Sequence, residues 1–176
     1  MREIVVNDTN ILIDMHTAGL LEYIQKSSVR FHTVDFVIDE LHRSPYRRPL
    51  IDELIQNGVL YVAETSPDEM SEIISLHSGY STNTNLSFVD CTVMHYAKKH
   101  NYRLLTGDKK LRNHAIDEGV IVSGLLWTVD LFVNEGIAPP DEIIPKLQFL
   151  LGVNSRLPKK LIEEKIQQLT EMRHSI

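Results

Sequence analysis

Cysteine and long apolar runs are both scarce in this sequence. Cys91 is the only cysteine, so an intramolecular disulfide bond is excluded and a reducing compartment, the cytoplasm, is predicted. The first apolar run, residues 4–6, is too short for a secretory signal peptide. Polar residues and a glycine interrupt the most apolar stretch, residues 120–133, so no membrane-spanning helix is predicted.

Positive charge is also scarce. The chain has 18 lysines and arginines against 24 aspartates and glutamates, and its net charge is −6. This excess of acidic residues argues against a protein that binds nucleic acid by bulk electrostatic attraction. If four carboxylates bind metal ions, removing four negative charges from −6 leaves −2. The charge alone therefore decides neither for nor against nucleic-acid binding.

The pattern of apolar residues alternates between strands and helices along the 176 residues. It predicts strands over 4–6, 29–34, 59–62, 103–106 and 120–122. Helices are predicted over 10–18, 20–26, 35–43, 50–55, 88–99, 109–118, 125–134, 141–151 and 158–172, with one more opening at Pro67 and a loop over 78–86. This alternation predicts a three-layer α/β/α fold with a central parallel sheet of about five strands. We predict an α/β domain over residues 1–135 and a C-terminal helical extension over 136–176 that packs on the domain or on a partner.

Two aspartates stand where predicted strands end. Asp8 follows the first strand, and Asp108 follows the fourth. Ligands of open parallel sheets bind at the carboxyl ends of the strands, near the point where the strand order reverses. Each residue could instead be only a helix cap, because aspartate is favoured at that position.

Two further acids lie on helices whose apolar faces are predicted to turn inward. Asp90 ends the stretch Ser87-Phe88-Val89-Asp90, which has the spacing of a capping box, and it also heads the apolar stripe of its helix. Glu40 shares a helix face with Val37 and Leu41. A carboxylate on an inward face loses hydration at a cost of several kcal/mol, which a bound cation or hydrogen-bond donors would offset.

These motifs in their order resemble the PIN-domain nucleases, and the VapC-like ribonuclease toxins in particular. The resemblance covers roughly residues 3–125. Its motifs are Asp8-Thr9-Asn10, Val37-Ile38-Asp39-Glu40-Leu41, Ser87-Phe88-Val89-Asp90 and Thr106-Gly107-Asp108. Each motif alone is weak, and the ordered set is specific.

The resemblance implies a catalytic acidic cluster that binds Mg²⁺ or Mn²⁺ as its cofactor. Its members would be Asp8, Glu40, Asp90 and Asp108, with supporting roles for Asn10, Ser87 and Thr106. Asp8 and Asp90 are the first choices as direct ligands, and the hard oxygen ligands suit these metals. One metal would activate the attacking water, and a second, ~3.5–4 Å away, would stabilise the leaving oxygen.

The sequence departs from the VapC-like pattern in two ways. Such proteins often carry a further acid shortly after the fourth, whereas Lys109, Lys110 and Leu111 follow Asp108 here. The number of metal ions, one or two, therefore stays open. The chain is also longer than a minimal toxin because helices follow residue 134.

The expected partners are RNA, an antitoxin protein and a second copy of the chain. Six basic residues near the predicted acidic end could hold RNA phosphates or form a solvated basic face: Arg43, Arg47, Arg48, Lys109, Lys110 and Arg112. A homodimer is predicted from the resemblance and from apolar residues clustered in the helix over 125–134.

The leading functional hypothesis is an endoribonuclease, as a toxin or as an RNA-processing enzyme. The alternative is a non-catalytic PIN-like module that binds RNA or protein. An aspartyl phosphatase is disfavoured, because Asp8-Thr9-Asn10 lacks the second aspartate of such a site.

Overall fold

The computed structural model describes residues 2–43, 48–81, 85–154 and 157–174. Its strands are β1 (Ile4–Asn7), β2 (Arg30–Val34), β3 (Leu60–Ala63), β4 (Arg103–Leu105) and β5 (Val122–Ser123). Its helices are α1 (Thr9–Thr17), α2 (Asp35–Arg43), α3 (Pro49–Gln56), α4 (Pro67–Ser81), α5 (Phe88–His100), α6 (Lys109–Asp117), α7 (Leu125–Asn134), α8 (Pro140–Val153) and α9 (Lys159–His174). A short 3₁₀ helix spans Leu21–Lys26.

The five strands form one all-parallel sheet in the order β3-β2-β1-β4-β5. The predicted α/β fold with five parallel strands is therefore confirmed. The chain builds β1, β2 and β3 outward in one direction and then returns to place β4 on the other side of β1. In the register, Val6 lies opposite Leu104 and Asn7 opposite Leu105, so β1 and β4 end side by side. This is the point where the strand order reverses, and Asp8 follows it directly.

One predicted segment was wrong in part. The turn-rich stretch over 78–86 was expected to be a loop, but α4 continues through Ser81; residues 82–84 lie outside the described ranges, and residues 85 and 86 belong to no helix or strand. Within that stretch, the hydroxyl of Ser78 donates to the carbonyl oxygen of Ile74, four residues earlier, at 2.8 Å. Serine hydroxyls can thus be satisfied within a helix, and a run of polar residues does not require a loop.

The C-terminal helices contribute to the same hydrophobic core as the sheet. Five of their apolar side chains are buried in it: Ile143, Leu147, Leu150, Ile162 and Leu169. Within the described ranges, none of the helices combines the length and apolar character that a bilayer crossing needs. The division of the chain at residue 135 stays a prediction.

Candidate functional site

Asp8 and Asp108 each begin a helix at the carboxyl end of a strand. The Oδ1 atom of Asp8 accepts a hydrogen bond from the backbone N–H of Ile11 at 2.7 Å. The Oδ1 atom of Asp108 accepts from the N–H groups of Lys110 and Leu111 at 2.8 and 2.9 Å. Both aspartates are therefore helix caps, as one of the two readings predicted, but these bonds use only one oxygen of each carboxylate.

Thr106 connects these two aspartates from a fully buried position. Its hydroxyl donates to the Oδ2 atom of Asp8 and accepts a bond from the N–H of Asp108 at 3.0 Å. Arg112 in turn donates to the backbone oxygen of Thr106 at 2.8 Å. Through these bonds Thr106 fixes the position of the Asp8 carboxylate and places the start of α6 beside it.

Asp90 is held by the predicted capping box at the start of α5. The N–H of Ser87 donates to the Oδ2 atom of Asp90 at 2.9 Å, and the N–H of Asp90 donates to the Ser87 hydroxyl at 3.0 Å. This reciprocal pair fixes the rotamer of a half-buried carboxylate at the first turn of the helix.

Glu40 does not lose its hydration as the helix pattern predicted. Its neighbours Val37 and Leu41 are buried, but Glu40 itself is exposed. The reason is that its longer side chain extends past the core and accepts a hydrogen bond from the hydroxyl of Thr9 at the start of α1. Glu40 therefore lies at the rim of the site.

The four acids line one cavity of about 190 Å³ at the point where the strand order reverses. They come from four different parts of the chain: the start of α1, α2, the start of α5 and the start of α6. The complete lining is Asp8, Thr9, Asn10, Glu40, Ser87, Val89, Asp90, Val93 and Asp108. The tertiary structure thus brings together all four acids with Asn10 and Ser87, while Thr106 lies beneath Asp8.

The negative charges of the cavity act on one another. Burial raises the pKa of Asp8 to about 7, against the hydrogen bonds from Thr106 and Ile11, and the charges of Asp90 and Asp14 raise it further. Burial also raises the pKa of Asp90, and the charges of Asp108 and Glu40 add to this increase. A cavity in which carboxylates raise each other's pKa values has an uncompensated negative charge.

The donor chemistry of the cavity fits a divalent cation. Carboxylate oxygens are the ligands that Mg²⁺ and Mn²⁺ prefer, and a cation would offset the mutual repulsion of these groups. In the described part of the chain, however, no three Asp, Glu, His or Cys side chains are arranged as a ready metal site. The Oδ1 atom of Asp8 and the Oδ2 atom of Asp90 each accept one capping bond, and both capping bonds of Asp108 go to its Oδ1 atom. Each of these three carboxylates therefore keeps oxygen lone pairs that could bind a metal ion.

A fifth acid, Asp14, was missed in the sequence. It is buried in α1, and its Oδ1 atom accepts a bond from the side-chain amide of Asn154 at 2.7 Å. A signal was present, since Asp14 lies four residues after Asn10 and therefore on the same face of α1. A buried aspartate at that spacing could have been read as part of the site.

The predicted basic residues have different surroundings. Lys109, Lys110 and Arg43 are exposed, and Arg112 is engaged with the backbone of Thr106. Arg48 is half-buried, and Arg47 lies outside the described residues. Lys109 is the residue that directly follows Asp108, so it is the cation placed nearest to the acids along the chain.

A larger cavity of about 530 Å³ lies between α4 and α5, but each of its charged groups has a partner of opposite sign. His95 contacts Glu72 at 2.7 Å, and Lys98 pairs with Glu118. The acidic cavity differs because its charges have one sign, and this makes it the better candidate for a functional site.

Solved structures with the same fold include two microbial proteins. VapBC2 from Rickettsia felis, solved bound to a DNA fragment from its promoter, is 17% identical and has a TM-score of 0.50, with 69% of this chain and 98% of that chain covered. PAE2754 from Pyrobaculum aerophilum is 14% identical and also has a TM-score of 0.50, with 74% of this chain and 96% of that chain covered. At these identities the likeness concerns the fold. No curated protein matches the sequence.

A protein-family model described as a PIN domain, DUF3368, matches residues 4–171. The match spans the sheet, the acidic cavity and both C-terminal helices. PIN domains are in general nuclease domains that use divalent metal ions, which agrees with the carboxylate cavity at the reversal of strand order. The chain therefore belongs to the PIN-domain family.

Proposed function

We propose that the protein is a Mg²⁺- or Mn²⁺-dependent endoribonuclease in which Asp8, Glu40, Asp90 and Asp108 form the catalytic cluster. The observation that carries this proposal is the convergence of four acids from four separate elements on one cavity. Helix capping explains why an aspartate stands at the start of α1, α5 or α6. It does not explain why those helices begin at the same cavity, with Glu40 of α2 at its rim.

The residues have distinct roles in this proposal. Asp8 and Asp90 would hold the metal directly, because hydrogen bonds from the Thr106 hydroxyl and the Ser87 N–H fix their carboxylates in advance. Asp108 and Glu40 complete the ligand set or orient the attacking water. When bound, the metal supplies charge neutralisation and polarises the water and the phosphate. The water oxygen bonds to phosphorus, and the bond from phosphorus to the 3′ oxygen breaks. The proton that the water gives up is balanced by the proton that the 3′ oxygen gains, so a 3′-hydroxyl and a 5′-phosphate result.

The biological setting is proposed from the resemblance. The ordered motifs support a toxin that is restrained by an antitoxin protein, and a homodimer is the proposed oligomeric state. In α7, Leu125 and Phe132 are buried within one chain, whereas Leu126, Trp127 and Leu131 pack against the core and are only half-buried. Cys91 is a free, buried thiol, and the cytoplasm is the compartment we propose.

Cleavage of labelled single-stranded RNA, with Mg²⁺ or Mn²⁺ and with EDTA, tests the activity. We expect metal-dependent cleavage that Asp8→Asn or Asp90→Asn reduces by about 100-fold or more, since a ligand is lost while the shape is kept. Asp39→Asn is the matched control, because Asp39 precedes Glu40 on α2, is exposed and does not line the cavity. Near wild-type cleavage by Asp8→Asn or Asp90→Asn would refute the assigned cluster.

The alternative function is a non-catalytic module that binds RNA or protein. One observation favours it: the side chains of Asp8 and Asp108 cap helices, and the Asp90 side chain completes the capping box of α5. Titration with Mg²⁺ and Mn²⁺ by calorimetry separates the two functions. Binding that Asp90→Asn weakens supports the nuclease, and no binding at millimolar metal supports the module.

A further inference from the structure

A second cavity adjoins the acidic one. Its volume is about 260 Å³, and it shares Asn10 and Asp108 with the acidic cavity. Its outer wall is formed by Asn154, which directly follows α8, and by Leu157 and Pro158, which directly precede α9. The two cavities therefore form one continuous groove with an acidic end and an end built by the C-terminal helices.

The C-terminal wall is attached to the domain by polar contacts with α1 and the 3₁₀ helix. The amide of Asn154 donates to the buried carboxylate of Asp14 at 2.7 Å. Nearer the start of α8, Lys146 donates to the backbone oxygen of Gly19 at 2.9 Å, and Glu142 accepts from the hydroxyl of Tyr23 at 2.8 Å. These bonds hold α8 against the α1 face that carries Asn10, so the wall is a preformed part of the groove.

The second cavity has the three kinds of group that recognise a nucleotide. Leu157 and Pro158 supply apolar surface against which a base can pack. The side-chain amide of Asn10 can donate to and accept from the edge of a base. Lys109, which forms no ion pair within the described residues, supplies a cation for a backbone phosphate.

We propose that this cavity binds the nucleotide next to the scissile phosphate in single-stranded RNA. The helices after residue 135 would then form part of the substrate site and select the base at that position. The inference rests on the proposed ribonuclease function and adds a substrate subsite to it. An unpaired strand is required, because a base can enter a cavity of this kind only when it is not stacked in a duplex.

Lys109→Gln tests the phosphate contact, with Lys110→Gln as the matched control. Both lysines are exposed on the first turn of α6, but only Lys109 lines the groove. In an Asp90→Asn background, which removes cleavage, binding of a short single-stranded RNA is measured by fluorescence anisotropy over a range of salt concentrations. We expect Lys109→Gln to weaken binding roughly 3- to 10-fold and to reduce the salt slope by about 1, whereas Lys110→Gln changes the affinity less than about twofold. Equal effects of the two substitutions would overturn the phosphate contact.

Leu157→Ala and Pro158→Ala test the selection of the base, because both residues supply the apolar surface of the cavity. Each variant, with its folding checked by a thermal melt, cleaves a pool of RNA with randomised sequence, and the cut sites are sequenced. We expect the variants to keep cleaving while the nucleotide preference at one position beside the cut becomes weaker. If both variants retain the wild-type preference, or lose rate equally for all sequences, the subsite is refuted. Failure of the wild-type protein to cleave any RNA would instead refute the proposed function.

Discussion

Thr106 is the side chain that joins two of the four acids. Its hydroxyl bonds to Asp8 on one side and to the N–H of Asp108 on the other, in a fully buried position. Thr106→Val keeps the shape but removes both bonds, so it leaves a buried carboxylate and an N–H without that partner. We expect it to lower the free energy of unfolding by about 1–3 kcal/mol in urea denaturation. Thr106→Ser, which keeps the hydroxyl and loses one methyl, should cost less, at about 1 kcal/mol. A larger loss for serine than for valine would show that packing outweighs these bonds.

Asp8 should make the metal-free protein less stable as pH rises. Its pKa is about 7 in the folded protein and 3.8 in the unfolded chain, so the folded state binds more protons between these values. The free energy of unfolding therefore declines as pH rises from about 4 to about 7, by at most about 1.4 kcal/mol per pH unit from this one group. In EDTA, we expect Asp8→Asn to flatten this decline and Asp39→Asn to leave it unchanged. Parallel profiles for wild type and Asp8→Asn would contradict the shifted pKa.

At the scale of elements, two helices offer a comparison of the same capping motif inside and outside the site. In α5, Ser87 and Asp90 exchange hydrogen bonds beside the acidic cavity. In α4, Ser66 and Glu69 exchange the same bonds, at 2.9 and 3.3 Å, away from that cavity. The pair therefore separates the stabilising role of a cap from its role in positioning a carboxylate.

Ser87→Ala and Ser66→Ala should each cost about 0.5–2 kcal/mol of stability, because each removes one cap. Only Ser87→Ala should also weaken metal binding, by roughly 10-fold or more. The Ser87 N–H can still donate to the Asp90 carboxylate, but the start of α5 that presents this N–H loses the bond from the Asp90 N–H to the Ser87 hydroxyl. Thermal melts and metal titration of both variants measure the two effects. Equal metal affinities for the two variants would mean that Ser87 serves only as a cap.

At the scale of the whole molecule, the C-terminal helices share the core with the sheet. Leu147 of α8 is fully buried, and Trp127 of α7 is the only tryptophan of the chain. Because the apolar groups belong to one cluster, we expect a single unfolding transition, with tryptophan fluorescence and circular dichroism coinciding. Leu147→Ala should lower the free energy of unfolding by about 2–5 kcal/mol, and the fluorescence and circular dichroism transitions should shift together. A split between the two signals would show that residues 136–176 unfold as a separate unit.

The sequence by itself determined the elements and their junctions. The β-branched run before Asp8 predicted β1, and the spacing of Ser87 and Asp90 predicted the capping box of α5, because strand periodicity and caps depend on neighbours within a few residues. The order of the acidic motifs also predicted the PIN-domain family, which the family match confirmed.

Only the tertiary structure decided which of these junctions meet. The acids share a cavity because β4 returns to lie beside β1, a pairing between distant parts of the chain that local spacing does not encode. The exposure of Glu40 depends on where α1 packs against α2, and the burial of Asp14 depends on Asn154, 140 residues away. Hydrogen bonds within a turn follow from adjacent residues, whereas burial and electrostatic coupling follow from the packing of the whole chain.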